Sequence, residues 1–216
     1  MDYAIPPRDG KQGYNRAEKF MAKQLKNITI YAGSADNLAD KYIQAAYDLG
    51  KILAAEGRTI VFGSGKTGLM GAVARGSLEH HGQVVGVIND DLNLPHLVFE
   101  QLTRIETVAN IQIRQARMSE LGDGFIALPG GFGTFYEVLE ALTWAQLGHH
   151  QKPIGFLNVD GYYDPLLSMF DHAISFGYIY PEHRGLFVES GDPVELLALL
   201  DGFSPPKNMN RWLNRE

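Results

Sequence analysis

The chain of 216 residues contains no cysteine. Disulfide staples, thiolate nucleophiles and Cys-ligated zinc are thereby excluded. Long apolar runs are missing as well: none approaches the roughly 20 residues needed to cross a bilayer. The opening "MDYAIPPRDGKQGYNRAEK" has no apolar core of the kind a secretory signal carries. Both absences lead to the expectation of a cytoplasmic protein with no membrane partner. Positive charge is scarce, since 19 Lys and Arg stand against 25 Asp and Glu for a net charge of −6, which argues against general nucleic-acid binding. The one basic stretch, Arg8 through Lys26, precedes the first apolar segment and reads as a solvated N-terminal arm or helix over 1–26. With no repeat, low-complexity tract or long linker, residues 27–202 read as one domain and 203–216 as a tail.

What remains is an alternation of short β-branched runs with longer segments of helical period, the pattern of βαβ units in a parallel sheet. Strands are expected at 27–32, 58–62, 83–88, 104–108, 124–128, 153–157 and 185–189, with helices near 37–56, 68–80, 109–121, 133–147, 162–177 and 192–200. The first helix is clearest: Leu38, Tyr42, Ala45, Leu49, Ile52 and Leu53 repeat at helical spacing, and Gly57 follows as a C-cap. The fold class is therefore α/β, an open parallel sheet with helices on both faces. Ligands of such sheets sit at the carboxyl ends of the strands, which directs attention to the loops after residues 31, 62, 88 and 128.

The loop after 62, in "TIVFGSGKTGLMG" (59–71), spells the Gly-Lys-Thr that closes a P-loop. A P-loop also needs a glycine five residues before the Gly-Lys pair, and that position is Ile60. Asp90 or Asp91 in "VVGVINDD" imitates a Mg²⁺-holding carboxylate, but Asn and Asp after a strand commonly serve a turn. A better phosphate site lies in "FIALPGGFGTFYEVLEALTW" (125–144), where Gly130, Gly131 and Gly133 clear the turn and Thr134 stands where a helix begins. Glycines admit an anion close to backbone N–H groups, and a helix N-terminus supplies unpaired donors. A tight strand-to-helix turn needing those glycines for its own geometry is the alternative.

Glu137 lies one turn into that helix. If Phe135, Leu139, Leu142 and Gln146 mark its core stripe, Glu137 points toward solvent or a crevice. On the preceding helix, Arg114 and Gln115 fall within the apolar stripe of Val108, Ile111, Met118 and Leu121. A guanidinium facing inward needs a partner, either Glu137 or a bound phosphate, unless its stem lies on the stripe and its head reaches water. Tyr136, Trp144 and Leu147 make the 133–147 helix apolar on its far side too, from which we expect a homodimer through this helix.

Together these residues resemble a known family. "PGGFGTFYE" matches the Pro-Gly-Gly-x-Gly-Thr-x-x-Glu motif of the LOG (Lonely Guy) proteins, often mislabelled lysine decarboxylases. The likeness extends through "YAGSAD" (31–36), "VFGSGKTGLMGAVARG" (61–76), "GVINDDL" (86–92), "IRQARM" (113–118) and "TWAQLGHHQKPIGFLNVDGYYDPLL" (143–167). In this light "FGSGKTGLMG" resembles the family's Gly-Gly-Gly-x-x-Gly-Leu-Met-Gly turn, with Ser64 replacing the middle glycine, and the P-loop likeness is accidental.

The resemblance implies a Rossmann-like fold, a dimer, and hydrolysis of the N-glycosidic bond of cytokinin riboside 5′-monophosphates, often AMP as well. It also implies an essential Arg and Glu, which by motif position are Arg114 and Glu137. The family usually has Arg-Lys where Arg114-Gln115 stands and Glu-Glu where Tyr136-Glu137 stands. On this reading Glu137 stabilises an oxocarbenium-like sugar and handles the attacking water. Arg114 holds the phosphate or the leaving base. Gly130, Gly131, Gly133 and Thr134 bind the 5′-phosphate, with Gly33, Ser34 and Gly63 lining the same crevice. No metal or other cofactor is implied. His149-His150 and His80-His81 are assigned to helix ends, Glu140 to a polar position near the dimer contact, and Asp164 to a cap. Two competing readings are a pyridoxal-dependent decarboxylase, for which no lysine has a persuasive setting, and a non-catalytic carrier of a nucleotide or phosphorylated cofactor on the same fold.

Overall fold

The computed structural model describes residues 24–207; most of the expected N-terminal arm and of the tail lies outside them. Seven strands form one parallel sheet in the order β4-β3-β2-β1-β5-β6-β7. They are β1 (Asn27–Tyr31), β2 (Thr59–Phe62), β3 (Gln83–Asn89), β4 (Arg104–Val108), β5 (Gly124–Ala127), β6 (Ile154–Leu157) and β7 (Phe187–Ser190). Helices α1 (Asp40–Ala55), α2 (Gly68–Leu78), α3 (Ile111–Leu121), α4 (Phe132–Gln146) and α5 (Asp164–Ser175) connect them except between β3 and β4, which a loop over 90–103 joins, and α6 (Pro193–Asp201) follows β7.

The strands are apolar almost throughout because both faces of the sheet are covered. Ile28, Ile30, Ile60, Phe62, Val84 and Ile126 face α1, α2 and α6. The alternating positions Tyr31, Val61, Val85, Val87, Phe125 and Phe156 face Met118 of α3, Val138 of α4 and Leu167 of α5. Away from the site, the buried Arg58 forks onto the Asp201 carboxylate at 2.9 and 2.6 Å, tying the start of β2 to the end of α6.

Boundaries differ from expectation by up to three residues, and two of the differences have a visible cause. Asn37 has φ 58, outside the helical region, so α1 starts at Asp40 rather than 37. Residues Pro181–Leu186 form a short 3-10 segment that delays β7 to Phe187. Gly57, at φ 67 just past α1, ends that helix as expected. Asp164 caps nothing: it lies inside α5, and its carboxylate accepts from Asn158 Nδ2 at 2.8 Å.

The chain winds outward from β1 to β4, then returns to the other side of β1 as β5. Tyr31 and Ala127 are register partners on these two strands, so their loops diverge from adjacent points. A crevice at such a switch point is where a doubly wound sheet holds ligands.

Candidate active site

A cleft of about 950 Å³ opens at that point. All nine residues singled out from the sequence line it: Gly33, Ser34, Gly63, Arg114, Gly130, Gly131, Gly133, Thr134 and Glu137. The loops after β1 and β5 are laced together by the Gly33 amide, which donates to Pro129 O at 3.0 Å. That closeness dictates glycine, since a Cβ on Gly33 would lie 3.1 Å from Gly130 Cα and one on Gly130 would lie 2.1 Å from Thr134 Oγ1. Gly131 and Gly133, by contrast, face open space.

Two glycine-rich helix starts meet here, and they differ in what their amides do. At α2 the carbonyl of Gly33 accepts from Leu69 N at 2.9 Å and Met70 N at 3.2 Å. Lys66 reaches Pro95 O at 2.9 Å and Thr67 Oγ1 reaches Ser34 O at 2.6 Å, so the Lys-Thr of the P-loop-like string joins loops. At α4, Gly131 O accepts from Phe135 N at 3.0 Å, but the amides of Phe132, Gly133 and Thr134 have no backbone acceptor among the described residues. Of the two, α2 keeps only Gly68 N without a backbone acceptor among the described residues, so α4 offers the cluster of unpaired donors that binds an anion at a helix N-terminus.

Arg114 is 7% exposed and lines the cleft. Its Nε donates to Val87 O at 2.9 Å and its Nη2 to Gly63 O at 3.0 Å, leaving Nη1 without a protein acceptor among the described residues. The primary partners are thus carbonyls at the ends of β3 and β2, whereas the sequence had offered Glu137, a phosphate or solvent. The packing also explains Gly63, because a Cβ there would fall 1.6 Å from Arg114 Nη2. Burial lowers the guanidinium pKa, and the charge of Glu137 opposes that shift.

Glu137 keeps some accessible surface on the cleft yet lies deep among protein atoms, and that burial raises its pKa to about 7. Arg114 pulls the value down, Glu140 pushes it up, and the Gln115 side chain pulls it down slightly. A carboxyl poised near neutrality can hold or release a proton at working pH, as acid–base catalysis requires. The helix is rotated from the expected phase: Thr134, Val138, Ala141 and Ala145 are the buried positions, while Leu139 is 39% exposed. Glu137 faces the crevice nonetheless.

Other cleft residues gave no local signal. Tyr162 donates its hydroxyl to Gly130 O, Tyr42 enters from α1, and Met70, Ile88, Leu92 and Leu97 form an apolar wall. His96 sits beside that wall. Of the histidine pairs, His80 Nδ1 meets Gly76 O at 2.9 Å and His150 Nε2 meets Ala141 O at 3.1 Å, both helix carbonyls. Tyr136 donates to Glu140 at 3.3 Å. Among the described residues, no group of three or more His, Cys, Asp or Glu is placed to hold a metal, and no helix is long and apolar enough to cross a membrane.

A family model described as "Possible lysine decarboxylase" matches residues 70–200. The name finds no support in the cleft, where no lysine is among the lining residues. The chain is 41% identical over 182 residues to the probable cytokinin riboside 5′-monophosphate phosphoribohydrolase LOGL3 of Oryza sativa subsp. japonica, covering 84% of this chain and 86% of the relative. It is 39% identical over 190 residues to the cytokinin riboside 5′-monophosphate phosphoribohydrolase LOG3 of Arabidopsis thaliana, covering 88% of each. Among solved structures, the molybdenum cofactor binding protein of Rippkaea orientalis shares the fold at TM-score 0.63 and 23% identity, over 82% of this chain and 95% of that one. The carrier protein for the same cofactor from Chlamydomonas reinhardtii does so at TM-score 0.60 and 20% identity, over 82% and 96%. By sequence likeness over most of its length and by its Rossmann-like fold, the chain belongs to the LOG family.

Proposed function

We propose that this protein hydrolyses the N-glycosidic bond of nucleoside 5′-monophosphates, cytokinin riboside 5′-monophosphates or AMP, to free base and ribose 5-phosphate. One observation carries the reading: an open helix N-terminus, a buried arginine and a carboxyl poised near pH 7 line the same cleft. The free amides of α4, with Gly130, Gly131, Gly133 and Thr134, take the 5′-phosphate. Gly33, Ser34 and Gly63 shape the adjoining wall. Glu137, ionised, stabilises the oxocarbenium-like sugar as the base departs and accepts a proton from the attacking water. Arg114, held from behind by two carbonyls, directs its free Nη1 to the phosphate or leaving base and favours the ionised form of Glu137. The apolar wall of Met70, Ile88, Leu92 and Leu97 suits an apolar substituent on the base. The named activity of the LOG relatives supports this assignment.

The exposed Tyr136 and Leu139 on α4, with Leu147 at its C-cap, support a homodimer through that helix. A monomeric mass by light scattering at micromolar concentration would refute it. The hydrolase is tested by incubating the protein with AMP and with isopentenyladenosine monophosphate, following free base and ribose 5-phosphate beside a Glu137→Gln control. Release that vanishes in the control supports the assignment. Tight nucleotide binding without release points to a carrier.

A further inference from the structure

Gln115 is the neighbour of Arg114 on α3 and is only 2% exposed. Neither its amide nitrogen nor its amide oxygen has a hydrogen-bond partner of good geometry. Two orphaned polar atoms on one buried side chain are costly and call for an explanation. The group whose charge this amide favours is the Glu137 carboxyl, to which it makes no hydrogen bond in this structure. The other groups around that carboxyl are committed elsewhere. Arg114 gives Nε to Val87 O and Nη2 to Gly63 O, keeping only the Nη1 that the proposed function turns to the substrate, and Tyr163 donates to Leu128 O at 2.6 Å. Glu140 is engaged by Tyr136, and Tyr31 from β1 is stacked on Phe125 with ring centroids 5.9 Å apart.

We propose that Gln115 is the positioning residue for Glu137, its amide pairing with the carboxyl in both of that group's protonation states. A primary amide is suited to this because Nε2 donates to a carboxylate while Oε1 accepts from a carboxylic acid. An ammonium could only donate and would pin the carboxyl ionised, whereas an apolar side chain would leave it unsupported. The facing groups divide by sign. Arg114 favours ionisation; Glu140 opposes it, and buried Tyr31 and Tyr163 are themselves held protonated partly by Glu137. Gln115 is the neutral member: through Nε2 it orients the carboxyl and favours the ionised form modestly, while Oε1 still accepts from the acid, so the proton can come and go.

The catalytic consequence rests on the hydrolase reading above; the pairing itself can be read without turnover. Glu137 is titrated by carbon-13 NMR of side-chain-labelled glutamate, its signal assigned by absence in Glu137→Gln. The chain itself is compared with Gln115→Met, close in volume and apolar, and Gln115→Lys, in parallel with pH profiles of kcat and KM on AMP. The Glu137 midpoint should rise in Gln115→Met and fall in Gln115→Lys. A rise of about one unit lowers the ionised fraction at pH 7 about fivefold, with kcat following and KM unchanged. Midpoints equal to that of the unsubstituted chain in the folded variants overturn the proposal, as does a shift that the kcat profile ignores. Absence of turnover in the unsubstituted chain overturns the hydrolase reading instead, while the titration still decides whether Gln115 positions Glu137.

Discussion

Replacing Ser64 by glycine should stabilise the protein even though the side chain is fully buried. Ser64 holds φ 64, and its Oγ has no hydrogen-bond partner. The left-handed conformation costs a residue with a Cβ about 1–2 kcal/mol, and a buried unpaired hydroxyl costs about 1–3 kcal/mol. Against these stand the added freedom of glycine in the unfolded chain, about 0.4–1 kcal/mol, and a hydroxymethyl-sized void costing somewhat under about 1 kcal/mol. The net gain is about 1–3 kcal/mol. The loop should keep its shape, because Ser64 O still accepts from Phe99 N at 2.8 Å. Gly86 also remains free of strain; its missing Cβ would have lain 2.2 Å from Ser64 Oγ. Thermal unfolding should show a rise of at least about 2 °C for a chain of this size. Ser64→Ala separates the two causes, since it removes the hydroxyl and keeps the left-handed backbone, and should recover only part of the gain. A glycine variant that melts lower than the parent would refute the reasoning.

Gly63→Ala should leave the fold intact and lower kcat/KM at least about 100-fold, because the new methyl occupies the place of Arg114 Nη2 and must displace the guanidinium; nucleotide turnover beside a circular dichroism spectrum checks this. Glu137 makes stability depend on pH. Its folded pKa near 7 lies above the ordinary 4.5, so its contribution is full below about 4.5 and is lost as pH rises to about 7. Urea unfolding should therefore find Glu137→Gln more stable than the parent at pH 8, by at most roughly 3 kcal/mol, with the difference much reduced at pH 5. Asp201→Asn removes one of the two carboxylates that pair buried Arg58, leaving Glu56 at 2.6 Å, and should cost about 1–3 kcal/mol in the same assay, leaving nucleotide turnover at 25 °C unchanged.

Most strands were legible because a sheet covered on both faces turns them into apolar runs; the exposed edge strand β4 was marked instead by its β-branched Ile105, Thr107 and Val108, and punctuation such as Gly57 marks where a helix must stop. The phase of α4 was not. With Phe135, Leu139 and Leu142 available on one side and Val138, Ala141 and Ala145 on another, a helix apolar all round gives periodicity no single answer. Small alanines, not the larger Leu139, meet the sheet. The environment of Arg114 was hidden for a different reason: its acceptors, Val87 O and Gly63 O, are main-chain atoms distant in sequence, and only the pairing of β2 with β3 brings them together. Tyr162 escaped notice likewise, since nothing near "DGYYDP" indicates that its hydroxyl will meet Gly130 O.

The two glycine-rich helix starts show why motif spelling alone misassigns the phosphate site. In sequence the starts of α2 and α4 are alike, each a strand, a glycine turn and a first helical turn whose amides lack intrahelical partners. The decisive atom is Gly33 O, which fills the α2 start and in doing so draws the β1 loop across the sheet. The same loop turns its Gly33 amide toward Pro129 O, stiffening the loop before α4 while leaving the α4 amides free. Anchoring an anion there fixes the origin of the substrate. Glu137 lies five residues after Phe132, about 7.5 Å farther along the helix axis, a separation suited to a ribose ring bridging the phosphate and the scissile bond. Binding energy gained at the phosphate is thus available to orient the sugar against the carboxyl, and a substrate lacking the phosphate should lose kcat as well as affinity.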